Sequence, residues 1–155
     1  MTSQIESTRA VTRVSAVDVS LFILRVAIGV VFIAHGGQKL FGWWGGAGLA
    51  GTVSFMAQGG IPAPLAYIAV FTEFLGGVGL VLGVLTRFWS LGLAITMAVA
   101  MFKVHWANGF FLGGEKSGIE YTFVLLLLAA ALAISGPGRI AFGDPEGKLL
   151  GAAAR

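Results

Sequence analysis

Two histidines, two carboxylates and three cations stand inside or at the ends of long apolar runs: His35, His105, Glu73, Glu120, Arg25, Lys39 and Lys103. A charge at the centre of a bilayer costs about 2.5–3.5 kcal/mol on insertion scales, so each needs a partner, a route to water or a function. Counted at ~1.5 Å per helical residue from the end of the bundle that carries the N-terminus, Arg25 lies roughly 10 Å deep and Glu73 roughly 18 Å. His35, Lys103 and His105 lie roughly 22–26 Å deep, and Glu120 opens its run at the same level. An arginine side chain can extend several ångströms along its helix, so Arg25 and Glu73 are expected to form a structural ion pair between the first two long helices. The alternative for Glu73 is a proton-linked carboxylate at the floor of a ligand cavity.

His35 and Lys39 are one helical turn apart and share a face, and Gly36-Gly37 bare the backbone beside them. A planar or anionic ligand could approach there; the competing reading has both side chains reaching to water. Lys103 and His105 point to roughly opposite sides of their helix. Glu120 suits the favourable end of a helix dipole, or turns inward toward Lys103 or His105. His35 and His105 share a depth, but neither the histidines nor the carboxylates show ligand spacing within one helix, so haem is disfavoured and no metal site is expected. Phe41, Trp43 and Trp106 are candidates to stack on a ring.

These residues are positioned by an expected all-α membrane bundle of four spans, about 18–38, 65–85, 88–106 and 119–135, with a short interfacial helix between the first and second over Leu49–Gln58. Asp18 or Ser20 is the expected cap of the first span, and Thr86-Arg87 reads as the turn between the second and third. Charged residues make up 11% of the chain and hydrophobic ones 57%, whereas soluble domains carry about 25% charged residues. The chain has no cysteine, which excludes thiol exchange and thiolate metal sites on this chain. The basic residues do not form a patch for nucleic acid. Residues 1–17 do not read as a cleaved leader, and the first span is expected to stay as an anchor. No dinucleotide, P-loop or serine-elbow motif is present.

Four spans put residues 1–17 and 137–155 on one side as tails. That side collects Arg9, Arg13, Arg87, Arg139, Lys148 and Arg155, against Lys39, Lys103 and Lys116 (with Glu115) on the other. The positive-inside rule then places both termini in the cytoplasm. Trp43, Trp44 and Trp106 fall at the outer boundary and Trp89 at the inner one.

The stretch Leu24-Arg25-Val26 leading to His35-Gly36-Gly37-Gln38-Lys39-Leu40-Phe41-Gly42 resembles the DoxX family of small bacterial membrane proteins. So do Glu73-Phe74-Leu75-Gly76-Gly77 leading to Leu82-Gly83-Val84-Leu85-Thr86-Arg87, His105 with Gly109-Phe110-Phe111, Glu120, and Gly136-Pro137-Gly138-Arg139. The resemblance covers about Val19 to Asp144. It implies a bacterial plasma-membrane protein of four helices in a redox setting, with redox partner proteins and a quinone as the cofactor class; a homo-oligomer is a separate candidate partner. It supplies no catalytic residue.

The leading reading is a membrane subunit of a redox system with an outward-facing polar pocket for a quinone-like ligand. His35 would bind or exchange a proton with a quinone oxygen, Glu73 and Glu120 would tune or relay protons, Lys39 would favour an anionic intermediate, and His105 is a further candidate ligand-binding residue. The alternatives are a non-enzymatic scaffold that recruits partners, and a small-solute or proton pathway, which needs a continuous polar path.

Overall fold

The computed structural model describes residues 14–113 and 117–149. Arg9, Arg13, Glu115, Lys116 and Arg155, used above to read topology, lie outside the described residues, as does most of the N-terminal tail. The elements are α1 (Ala16–Phe41), α2 (Gly48–Gln58), α3 (Ala63–Leu82), α4 (Thr86–Ala100), α5 (Glu120–Ser135) and a short α6 (Pro145–Leu149). α4 continues through a π-helical stretch, Met101–His105, and a 3-10 turn, Trp106–Asn108. With that extension it joins α1 and α3 as a helix long and apolar enough to cross a membrane; α5 is apolar and shorter. The architecture is an all-α membrane bundle of four principal helices, with the short α2 between the first two.

Local chemistry sets the boundaries. α1 opens on Ser15, not Asp18 or Ser20. The Ser15 hydroxyl accepts from the Asp18 backbone at 3.1 Å, and the Asp18 carboxylate accepts from the Ser15 backbone at 2.8 Å, a reciprocal capping box. α3 carries Pro64 in its first turn, where no backbone donor is needed, and ends at Gly83, whose φ of +71° is a left-handed cap. The second helix therefore stops three residues before the expected Leu85, and the turn is Gly83-Val84-Leu85, with Thr86-Arg87 already inside α4.

α1 packs chiefly on α3 and α4 on α5, with α3 against α4 joining the pairs. A Cβ on Gly77 would lie 2.7 Å from the Ile33 nitrogen, and one on Gly36 would lie 2.6 Å from the Phe74 nitrogen. α1 and α3 thus meet backbone to backbone, the contact that lets dispersion hold helices together in lipid. The core is Ile28, Phe32, Leu80, Leu93, Ala94, Met97, Leu125, Ala129 and Leu132.

The segment after α5 departs from its reading as a polar tail. Pro137 is fully buried, the Phe142 backbone donates to the Leu82 carbonyl, and Arg139 donates its backbone N–H to Asp18. The Glu146 carboxylate accepts from the backbone of Arg87 and Phe88, at the N-terminus of α4. The last turn of α5 is capped by the Arg87 guanidinium, which donates to the carbonyls of Ala133, Ile134 and Ser135.

Candidate functional site

Arg25 and Glu73 do not meet. Arg25 is 0% exposed and spends its guanidinium on backbone carbonyls: Nε donates to Pro137 at 3.0 Å, Nη1 to Leu80 at 2.8 Å and Nη2 to Ile140. Two of these acceptors belong to the segment after α5, and Leu80 lies in the last turn of α3, where its carbonyl has only the 3.2 Å bond from the capping Gly83 N–H and can accept a second. The expected ion pair is therefore replaced by a carbonyl cradle that locks α1, α3 and the chain beyond α5 at one end of the bundle.

Glu73 takes Lys39 instead. Lys39 Nζ lies 2.5 Å from Oε1 and 2.6 Å from Oε2. The carboxylate is 1% exposed and the lysine side chain 31%. The pair ties α1 to α3 and neutralises a buried charge that would otherwise be very costly.

Above this pair a cavity of about 320 Å³ opens between α1, α4, α5 and the loop before α5. Phe32, Met97, Ala100 and Leu125 give it an apolar floor, and His35, Lys39, Glu73, His105, Tyr121 and Thr122 give it polar walls. The structure thus brings four of the expected ligand-binding candidates to one cavity: His35, Lys39, Glu73 and His105. His35 stands exposed at the rim, its Nε2 3.4 Å from the Tyr121 hydroxyl and the two rings 5.9 Å apart. His105, half-buried at the end of the π-helical stretch, places Nδ1 2.8 Å from the Ser117 carbonyl. Lys103 is exposed and does not line the cavity. Below the floor the bundle is filled by Ile28, Leu80, Leu93, Ala129 and Leu132, so apolar packing closes the cavity at depth.

The remaining candidates stand elsewhere. Glu120 turns back onto its loop and accepts from the Leu112 backbone at 3.2 Å. Phe41 and Trp43 stack on each other, their centroids 5.1 Å apart, and both meet the edge of Phe74. They form an aromatic ledge outside the cavity, with Trp44 beside Trp43. Trp106 is exposed and packs on Phe102. Among the described residues, no group of three or more metal-ligating side chains assembles.

Sequence reasoning missed Tyr121, Thr122 and Met97. A tyrosine one residue after Glu120 carries no local signal, because only the packing of α5 against α1 brings it to His35.

A bundle of apolar helices whose buried Glu73 is ion-paired and whose buried Arg25 is satisfied by backbone carbonyls is a multi-pass integral membrane protein. Comparison with known proteins gives the family: residues 20–106 match the DoxX model, and the chain belongs to the DoxX family. It is 30% identical over 128 residues to the Bacillus subtilis (strain 168) protein named "Putative oxidoreductase CatD", covering 83% of this chain and 87% of that one. It is 30% identical over 123 residues to the Escherichia coli (strain K12) inner membrane protein YqjF, covering 78% of this chain and 87% of that one. A third relative, the Escherichia coli (strain K12) inner membrane protein YphA, is 37% identical over 90 residues, 52% of this chain and 60% of that one. Both Escherichia coli relatives are named as inner membrane proteins. No solved structure matches the chain significantly.

Proposed function

We propose that this protein is a membrane subunit of a redox system and that its cavity holds a quinone-like ligand. The observation that carries the reading is the convergence of His35, Lys39, Glu73, His105 and Tyr121 over an apolar floor in one cavity. Small-molecule pockets combine an apolar body with a few placed polar groups and start near ~300 Å³, the size found here. A quinone ring would lie on Phe32, Met97 and Leu125 while Lys39 donates to one of its oxygens. His35 and Tyr121, at the exposed rim, would exchange protons with water. The ligand would take up two electrons and two protons to become the hydroquinone. The electrons would come from a partner dehydrogenase, since the chain has no thiol of its own. Similarity to a protein named as a putative oxidoreductase supports the redox setting. In this reading both termini are cytoplasmic and the cavity opens toward the other side.

The test is purification in native lipid particles, followed by mass spectrometry and an absorption spectrum. A near-stoichiometric quinone that is lost on His35→Ala or Lys39→Met, while the protein stays folded, is the expected result. Protein carrying only ordinary lipid would overturn the reading and favour a scaffold that recruits partners.

A further inference from the structure

We infer that His105, with Lys39, makes the cavity selective for a ring that presents a hydroxyl donor, so that the hydroquinone form binds in preference to the quinone. This rests on the ligand class proposed above. It concerns which atoms of that ligand the two side chains read.

The Ser117 carbonyl sets the His105 tautomer. Nδ1 lies 2.8 Å from the Ser117 carbonyl oxygen. A carbonyl has no hydrogen to give, so Nδ1 must carry the proton and donate. In the neutral ring the other nitrogen, Nε2, is then an acceptor. Among the described residues Nε2 has no protein partner, and it is the polar atom that His105 retains for a ligand in the cavity it lines. The tautomer is held from a second side. Asn108 Nδ2 donates to the same Ser117 carbonyl at 3.1 Å and fixes that oxygen in place. The π-helical stretch Met101–His105 delivers the ring there; such widened turns are frequent at functional sites.

Lys39 supplies the complementary group. An ammonium has three donors, and the two Glu73 oxygens at 2.5 and 2.6 Å occupy two of them. One N–H remains, on a side chain that lines the cavity. His105 and Lys39 therefore offer the cavity one acceptor and one donor, each with its role set by a protein partner, while His35 and Tyr121 stand at the rim. A hydroquinone satisfies both, since one hydroxyl oxygen accepts from Lys39 while the other hydroxyl donates to Nε2. A quinone has acceptors only, so its second oxygen would face the Nε2 lone pair.

The experiment measures equilibrium binding at pH 8 in lipid nanodiscs, without oxygen, for tetramethylhydroquinone, its dimethyl ether and tetramethylquinone. The hydroquinone is expected to bind about 5- to 10-fold more tightly than the other two, the worth of one matched hydrogen bond. His105→Asn keeps an amide N–H where Nδ1 was, so the tie to Ser117 survives and only the Nε2 acceptor is lost. That variant should abolish the preference, chiefly by weakening hydroquinone binding. Asn108→Ala, which loosens the loop tie but keeps Nε2, should retain the preference. Equal binding of all three probes to the natural protein, or a preference that persists in His105→Asn, would overturn the inference while leaving the cavity a quinone site. Absence of binding by every probe would overturn both readings.

Discussion

At the scale of single residues, the bundle handles buried charge in two different ways. Glu73 is compensated by one flexible cation, and Arg25 by three backbone carbonyls. The two solutions predict different mutational behaviour. Lys39→Met strands Glu73; losing one partner of a buried pair costs about 3–5 kcal/mol, and the partial exposure of Lys39 places this case near the lower end. Adding Glu73→Leu should restore most of that loss, because an apolar pair of similar size is commonly as stable as a buried ion pair. Thermal unfolding of the natural protein and the two variants in detergent checks this, and a double variant no better than Lys39→Met would show that the pair has no such coupling. Arg25 offers no second-site rescue. Lysine cannot reproduce a planar fork that reaches three separate carbonyls, so Arg25→Lys should strand two of them at about 1–3 kcal/mol each. Unfolding in a series of denaturing detergent concentrations would read this loss directly. An unchanged midpoint would mean that the cradle contributes nothing.

At the scale of elements, the seam between α1 and α3 depends on the absence of side chains. A Cβ on Gly36 would lie 2.6–2.8 Å from Phe74 N, Cα and Cβ, and backbone of a packed helix cannot yield to it. Gly36→Ala should therefore push the two helices apart and loosen the Lys39–Glu73 pair one turn away. Gly92 on α4 is the contrasting case. Its added Cβ would meet only the Thr72 methyl at 2.9 Å, and alanine gains up to about 1 kcal/mol in helix propensity. Gly36→Ala should thus cost several kcal/mol and Gly92→Ala little or nothing, a difference that comparison of their melting temperatures would expose. The element scale is also where the sequence was most legible. The apolar runs located the helices, because lipid demands uninterrupted apolar surface from any spanning segment. The end of α3 was less legible: the apolar run continues through Val84 and Leu85, and only the left-handed cap at Gly83 stops the helix.

At the scale of the whole molecule, the illegible part was long-range pairing. His35 and Lys39 share a helix, and their common face follows from spacing alone. Glu73 is 34 residues from Lys39, and Arg25 is 112 and 115 residues from two of its acceptors. Depth counting brought Arg25 near Glu73 because it treated side chains as the available partners. Carbonyls at a helix end and in the segment after α5 outcompeted the carboxylate. The segment after α5 looked like a tail because its residues are polar, yet its backbone closes the Arg25 end of the bundle. That closure bears on orientation. The described cations at the closed end include Arg87 and Arg139, and those at the cavity end are Lys39 and Lys103. Arginine-bearing connections are retained on the cytoplasmic side, so the closed end should face the cytoplasm and the cavity the opposite compartment. The chain has no cysteine, so single reporters can be introduced cleanly. Gly113 in the loop beside the cavity and Gly143 beyond α5 each have open space around an added Cβ and no left-handed φ. With a membrane-impermeant maleimide on intact spheroplasts, Gly113→Cys should label and Gly143→Cys should label only after lysis. The reverse pattern would place the cavity on the cytoplasmic side, and its ligand would then exchange protons with the cytoplasm.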